Sequence, residues 1–276
     1  MKKFGLVTFL IIAFGLIIAS SFPGDIEGTS KNDSVVVLCY HHLVKDSPAN
    51  DSEINIDVFF DQMEFLYNND FKVLSIEEFL QFYEKGVFPE KSVLITFDDG
   101  YYSFLEHAYP VLKKFDFPAI LFPIVSHMEG LRRTVVYSGR LSFHNLRWMN
   151  EDSDGLISYG SHSYDLHYYR EEDENPAIYQ APEESYSEYR CRIREDLRVS
   201  RKLLGLQTDK EIKAFAWPYG VKTDLAQEEA LKAGYELLFE LGNRPFTFED
   251  SLKAIPRFLP PHKTLEEFKE LLQGEF

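Results

Sequence analysis

The sequence predicts an α/β fold, and within that class a (β/α) barrel with fewer than eight regular units. Three observations point there. Short apolar runs bounded by polar or glycine-containing turns read as strands buried on both faces, as in parallel sheets. Helical apolar patterns separate these runs, so strand and helix alternate with no hairpin signal between them. The chain has 276 residues, 45% of them apolar, which is enough to enclose one barrel-sized core.

The elements follow in order. Met1-Lys2-Lys3, the apolar stretch from Phe4 to Ala19 and the small residues Ser20 and Ser21 have the layout of a secretory signal over 1–21. An uncleaved membrane anchor is the competing reading, although the stretch is slightly short of a span of about 20 residues. Either way the domain is expected outside the cytoplasm, with possible association to membrane or cell wall through this segment. Residues 22–34, rich in Gly, Ser, Asp and Lys, read as a linker, and the folded domain is expected over 35–276.

Residues 35–40 form the first buried strand and deliver His41 and His42 at its end. Helices are expected over 57–68 and 76–85, with a strand at 71–74 between them. The strand at 92–97 runs into Asp98-Asp99-Gly100. A helix over 104–115 should kink or start late at Pro110, which has no N–H to give. A strand at 119–125, a short helix at 141–149 and a strand at 156–160 come next, the last carrying His162 to the same rim. The acidic, tyrosine-rich stretch 168–189, with Pro176 and Pro182, reads as a surface insertion. A solvated loop is the favoured account of it, with tyrosines stacking on sugar faces as the alternative. A charged helix over 192–204, a strand at 214–217 leading into Pro218-Tyr219-Gly220, a helix at 225–233, strands at 235–239 and 255–258, and a helix at 265–272 complete the pattern.

Chemistry concentrates at strand exits, where α/β enzymes place it. Adjacent Asp98 and Asp99 are costly if buried without a cation, because like charges resist ionising together. Taken alone, Asp98-Asp99-Gly100 reads equally well as a turn. The second cluster, Gly160-Ser161-His162-Ser163-Tyr164-Asp165-Leu166-His167, shifts the balance, since two histidines and an aspartate make an N and O ligand set for a divalent metal with positions left open. His162 and His167 are five residues apart, about 140° on a regular helix, so a turn or a distorted helix start must bring them together. His41 and His42 would ordinarily be satisfied polar residues, but they share that rim.

A formal charge of −16 argues against nucleic acid and other polyanions, which need clustered Lys and Arg, and in favour of a neutral polymer or small neutral substrate. Only Cys39 and Cys191 are present, so no disulfide framework holds the fold. Cys39 reads as a small core residue, and a bridge between the two is left open.

From about Val35 to the C-terminus the chain resembles the polysaccharide deacetylases, also called NodB-homology or carbohydrate esterase family 4. The likeness rests on Thr96-Phe97-Asp98-Asp99-Gly100, on His162-Ser163-x-x-x-His167, and on the weaker Trp217-Pro218-Tyr219-Gly220. It implies a distorted (β/α) barrel of NodB-homology type, with Asp98 as general base and Asp99, His162 and His167 as ligands of a divalent metal. That metal is most often Zn2+, with Co2+, Ni2+ or Fe2+ as alternatives. The Tyr219 N–H resembles the family's oxyanion donor.

Three features depart from the common pattern. The histidines are one residue further apart, Ala216 stands where an Arg often opens the third motif, and His262 is a poor match to the late Leu-x-His. The wider spacing and the early Tyr40-His41 resemble the branch that de-N-acetylates poly-β-1,6-N-acetylglucosamine, where the motif order is circularly permuted. The resemblance therefore implies His41 as the acid, with His42 an adjacent candidate, and Arg257, on position alone, as the group that orients Asp98. The expected activity is de-N-acetylation of a cell-surface N-acetylglucosamine polymer, either poly-β-1,6-N-acetylglucosamine or peptidoglycan. A catalytically silent carbohydrate-binding protein and an O-deacetylase of xylan-like esters are the competing readings.

Overall fold

The computed structural model describes residues 31–128 and 139–275. The expected 1–21 signal and most of the 22–34 linker lie outside the described residues. Among those residues, no helix is long and apolar enough to cross a membrane.

Seven parallel strands line the barrel among the described residues: β1 (Ser34–Tyr40), β2 (Ser92–Asp99), β3 (Ala119–Pro123), β4 (Ile157–Tyr159), β5 (Ala214–Ala216), β6 (Leu237–Leu241) and β7 (Ile255–Arg257). Regular parallel ladders join β1 to β2, β2 to β3, β3 to β4, β5 to β6 and β6 to β7. Two narrow joints close the ring. Ser161, just past β4, pairs with Phe215, and Leu38 pairs with Phe258, just past β7. The second joint is made by the Cys39 N–H to the Phe258 carbonyl and the Phe258 N–H to the Val37 carbonyl, both at 2.8 Å. The expectation of a distorted barrel with fewer than eight units holds.

Alternation along the strands separates two cores. In β1, Val35 and Val37 face the lumen, whereas Val36, Leu38 and Tyr40 face the helices. In β2, Leu94 faces the lumen and Val93, Ile95 and Phe97 face outward. Both faces being apolar is why these runs read as continuous rather than alternating. The N-terminal end of the lumen is plugged by Phe79, Phe88 and Phe246, with ring centroids 5.2 to 6.4 Å apart. Each buried ring contributes roughly 1.5–3 kcal/mol. With that end filled by carbon, the polar residues Asp98 and Arg257 collect at the C-terminal end.

The outer layer comprises α1 (Ile56–Asn68), α2 (Ile76–Lys85), α3 (Tyr109–Phe115), α4 (Phe143–Asp152), α5 (Tyr186–Thr208), α6 (Asp224–Ala233) and α7 (Leu265–Glu275). Ser75, Ser142 and Ser185 each start a helix with a reciprocal capping box, to Glu78, Asn145 and Glu188.

Two expectations need correcting, and two points left open are settled. The stretch 168–189 is not a solvated loop throughout: Ala177 and Ile178 are fully buried, and the capping box at Ser185 starts α5 within it. Antiparallel pairing is present, since Phe246 and Thr247 pair with Val35 and Ser34, and Lys31–Asn32 pairs with Phe88–Pro89. The end of the expected linker is thus part of a sheet. Pro110 is accommodated by a π-helical turn over Phe104–Ala108, in which the Tyr109 N–H reaches back to the Phe104 carbonyl before α3 begins. Cys39 is buried, Cys191 is exposed, and both are free thiols, so the bridge left open does not form.

Candidate active site

The strand exits converge on a cavity of about 330 Å³, lined by His41, Asp98, Asp99, His162, His167, Tyr169, Trp217, Tyr219 and Arg257 among others. His41 leaves β1, the two aspartates end β2, His162 follows β4, Tyr219 follows β5 and Arg257 ends β7. His42 does not line it. Its Nδ1 meets the Ser103 hydroxyl at 2.8 Å and its ring stacks on Tyr101 at 4.4 Å, so the two adjacent histidines face different surroundings.

The backbone at this rim is bent into conformations that side chains resist. Asp99, Ser163 and Tyr219 have φ of 69°, 77° and 58°. Each costs of order 1–3 kcal/mol and persists only where the surroundings over-determine it. Gly100 follows with φ of +70°, and a Cβ there would lie 2.8 Å from that of Pro123. These turns let neighbouring residues Asp98 and Asp99 both address the cavity although β alternation alone would separate them.

Asp99, His162 and His167 present ligand atoms within 4.8 Å of one another. His162 Nε2 lies 3.5 Å and His167 Nε2 3.4 Å from Asp99 Oδ1. The His162 Nδ1–H donates to the Ala216 carbonyl at 2.8 Å, which fixes the tautomer and turns the Nε2 lone pair inward. Asp99 Oδ1 is buried and has no hydrogen-bond partner among the described residues. A buried carboxylate oxygen without a donor is expensive, and one aimed at two imidazole nitrogens is relieved by a cation between them. The residues present therefore fit a divalent metal, and the N2O set suits zinc and its neighbours.

A turn, not a helix, brings His162 and His167 together. The Leu166 N–H donates to Ser163 Oγ at 3.0 Å, and the N–H groups of Tyr164 and Asp165 donate to the two carboxylate oxygens of Asp196 at 2.8 and 2.7 Å. Asp196 is buried on α5, and burial pushes its carboxyl up to about 7 against the pull of those two donors.

Asp98 sits in the lumen, gripped by Arg257 through Nη1 to Oδ1 at 2.7 Å and Nη2 to Oδ2 at 2.8 Å. Burial alone would raise its pKa; the Arg257 guanidinium, helped by His162, outweighs it and holds the carboxyl well below the usual carboxylate range. The Cys39 thiol donates to Asp98 Oδ2 at 3.5 Å. His41 presents a ring nitrogen within 4.8 Å of the Asp98 and Cys39 ligand atoms. Burial lowers its pKa, against an upward pull from Asp98 and Asp99.

The Trp217-Pro218-Tyr219-Gly220 turn is closed by the Gly220 N–H to the Trp217 carbonyl at 2.9 Å and the Val221 N–H to the Pro218 carbonyl at 3.2 Å. The Tyr219 ring packs against His167 at 4.3 Å and Tyr169 at 4.6 Å.

Four site residues escaped the sequence reading. Arg140 donates Nη1 to the Asp99 carbonyl at 3.0 Å while lying 3.6 Å over the Tyr101 ring. Asp196 anchors the histidine turn, Cys39 touches the candidate base, and Tyr169 reaches the cavity from the insertion. Only Tyr169 carried a signal, in the tyrosine content of that insertion.

Residues 85–238 match the family described as polysaccharide deacetylase. The chain is 30% identical over 255 residues to a poly-beta-1,6-N-acetyl-D-glucosamine N-deacetylase of Staphylococcus epidermidis, covering 86% of this chain and 82% of that protein. Among solved structures it is similar to a de-N-acetylase from Aggregatibacter actinomycetemcomitans, with a TM-score of 0.76 and 26% identity over 87% of this chain and 100% of that one. It is also similar to IcaB from Ammonifex degensii, with a TM-score of 0.72 and 27% identity over 88% and 97% of the two chains. The family match includes Asp98, Asp99, His162, His167 and Tyr219 but not His41 or Arg257, which the barrel brings in from the flanks.

Proposed function

The chain belongs to the polysaccharide deacetylase family and is a hydrolase of amide-linked acetyl groups on polysaccharide, and we propose that it de-N-acetylates poly-β-1,6-N-acetylglucosamine outside the cytoplasm. The printed activity of the staphylococcal relative supports the substrate, and the charged and apolar layout of residues 1–21 supports export. The observation that carries the chemistry is a single cavity in which an ionised Asp98 and a candidate acid, His41, stand beside an Asp-His-His triad.

Asp99, His162 and His167 are the residues that would hold a divalent cation, zinc being the best fit to their chemistry. Such an ion acidifies water and polarises the acetyl carbonyl. Because Arg257 holds the Asp98 carboxyl far below its usual range, Asp98 is a weak base, and an ion held by the triad would match it by making the attacking water more acidic. Asp98 takes the proton of the attacking water as general base. The Tyr219 N–H, presented by the left-handed turn, stabilises the developing oxyanion. His41, whose pKa burial lowers, receives from Asp98 the proton taken from water and passes it to the leaving amine as the C–N bond breaks, which returns Asp98 to its carboxylate form.

Acetate release from β-1,6-linked N-acetylglucosamine oligomers by metal-loaded protein, with β-1,4 oligomers and peptidoglycan in parallel and Asp98→Asn as control, tests this reading. Release from the β-1,6 series that depends on Asp98 is the expected result. Release only from β-1,4 material would replace the substrate, and inertness toward all three would return the binding-protein reading.

A further inference from the structure

Tyr169 is half-exposed, at 54%, yet its ring lies 4.6 Å from that of Tyr219, which in turn lies 4.3 Å from the His167 imidazole. The three rings form a wall that starts at the metal-binding turn and runs outward to solvent, and all three line the same cavity. Exposed tyrosines normally lose little by moving, but this one is held. Arg170, only 8% exposed, winds the chain around itself: its Nε and Nη2 grip the Asp173 carboxylate at 3.1 and 2.7 Å, and its Nη1 donates to the Tyr179 carbonyl at 2.7 Å. The backbone of Tyr169 also bridges to Pro176 on the returning segment. The insertion is therefore a rigid bracket that presents a large amphipathic ring at the mouth of the site.

We propose that Tyr169, backed by Tyr219 and positioned by Arg170, is a binding residue for the sugar ring next to the one that loses its acetyl group. This rests on the reading of the site as a deacetylase of an N-acetylglucosamine polymer. An aromatic face offers area at low entropic cost and suits the apolar C–H face of a pyranose, and a rigid support spares the ordering cost on binding. Continuity with the catalytic cavity makes the neighbouring sugar of the same chain the occupant. The inference predicts a preference for oligomers over single sugars.

The test compares Tyr169→Ala, Tyr169→Phe and the parent on a β-1,6-linked N-acetylglucosamine pentamer and on 4-nitrophenyl acetate, which has no second sugar. For Tyr169→Ala, KM for the pentamer should rise roughly tenfold with kcat within about twofold, and the loss of kcat/KM on the small ester should be several-fold smaller than on the pentamer. Tyr169→Phe, which keeps the ring, should behave as the parent. Equal losses on both substrates would overturn the inference, because they would make Tyr169 a prop for Tyr219 and His167. Unchanged pentamer kinetics in Tyr169→Ala would overturn it also. A parent that cleaves the ester but not the pentamer would instead overturn the substrate reading, and with it this occupant.

Discussion

Arg257 donates two parallel hydrogen bonds to Asp98, one to each carboxylate oxygen, and both side chains are almost wholly buried. The pair sets the state of the proposed base before any substrate arrives. In Arg257→Ala, Asp98 would be a buried charge without a partner. The expected cost is about 3–5 kcal/mol, measurable by urea unfolding at neutral pH. Burial would then dominate and raise the Asp98 pKa, so the acid limb of kcat/KM should move to higher pH. Arg257→Lys should not restore the parent profile, because an ammonium cannot span both oxygens. An unmoved acid limb in Arg257→Ala would show that Asp98 is not the group being titrated.

Removing the carboxylate itself separates chemistry from metal binding. Asp98→Asn should lower kcat by at least about 10²-fold while the protein keeps its metal, because Asp98 is not part of the Asp99, His162 and His167 set. Metal content by elemental analysis checks the second half, and loss of the metal along with activity would move Asp98 into the ligand set.

His41 should matter in proportion to the leaving group. His41→Ala is expected to reduce turnover of N-acetylglucosamine oligomers by about 10²–10⁴-fold, since an amine must be protonated to leave. On 4-nitrophenyl acetate, whose phenolate departs unaided, the loss should be far smaller. Equal losses on amide and ester would remove the acid role. His42→Ala, which frees Ser103 and Tyr101 but not the cavity, should change neither rate beyond a few fold.

The orphaned Oδ1 of Asp99 yields a thermodynamic signature. Zinc should raise the melting temperature of the parent in proportion to its occupancy, and a chelator should lower both melting temperature and activity. In Asp99→Ala the zinc-dependent rise should disappear. A rise that persists in that variant would place the cation elsewhere.

Asp196 gives a pH dependence with a defined sign. Its carboxyl titrates near 7 in the fold and at its lower ordinary value in the unfolded chain. Between about pH 4 and 7 the native state thus holds a proton that the unfolded state has released. The stability it contributes is full below the ordinary value and is lost as pH rises through about 7. Asp98, with a depressed pKa, contributes in the opposite sense but only at lower pH, so the windows do not overlap. Asp196→Asn should flatten the fall in melting temperature between about pH 5 and 8. It should also weaken metal binding by roughly tenfold, because an amide offers one acceptor where two N–H groups need one each. A slope unchanged by the substitution would mean that those donors keep the carboxylate ionised.

Most of the barrel was legible because its strands are buried on both faces, so the apolar runs mark them directly. Asp98, Asp99, His41 and His162 were legible for the same reason, since each follows such a run and must stand at its rim. Residues that act by reaching across the chain were not. Nothing near Arg140 or Asp196 in sequence announces a partner on another element, because a buried Arg or Asp looks like a surface one until its contacts are known. Arg257 was placed only by position after a short run. The insertion was misjudged because its burial is achieved through two arginines, Arg170 and Arg192, and the carbonyl groups they grip, which leave no apolar period, and the strand at Phe246 was missed because two residues are too few to show one.

The joint between β1 and β7 has a temporal meaning. Asp98 and Arg257 are 159 residues apart; Arg257 ends β7 at that joint, and Asp98 ends β2, the strand that pairs with β1 on its other side. At synthesis rates of 5–20 residues per second, the aspartate emerges roughly 8 to 30 s before its counter-ion exists. During that interval the carboxylate pair has water, not arginine, as its partner, and the ring lacks its last stave. Catalytic competence therefore arrives late and all at once, so an incomplete chain is inert however well its central motifs are made.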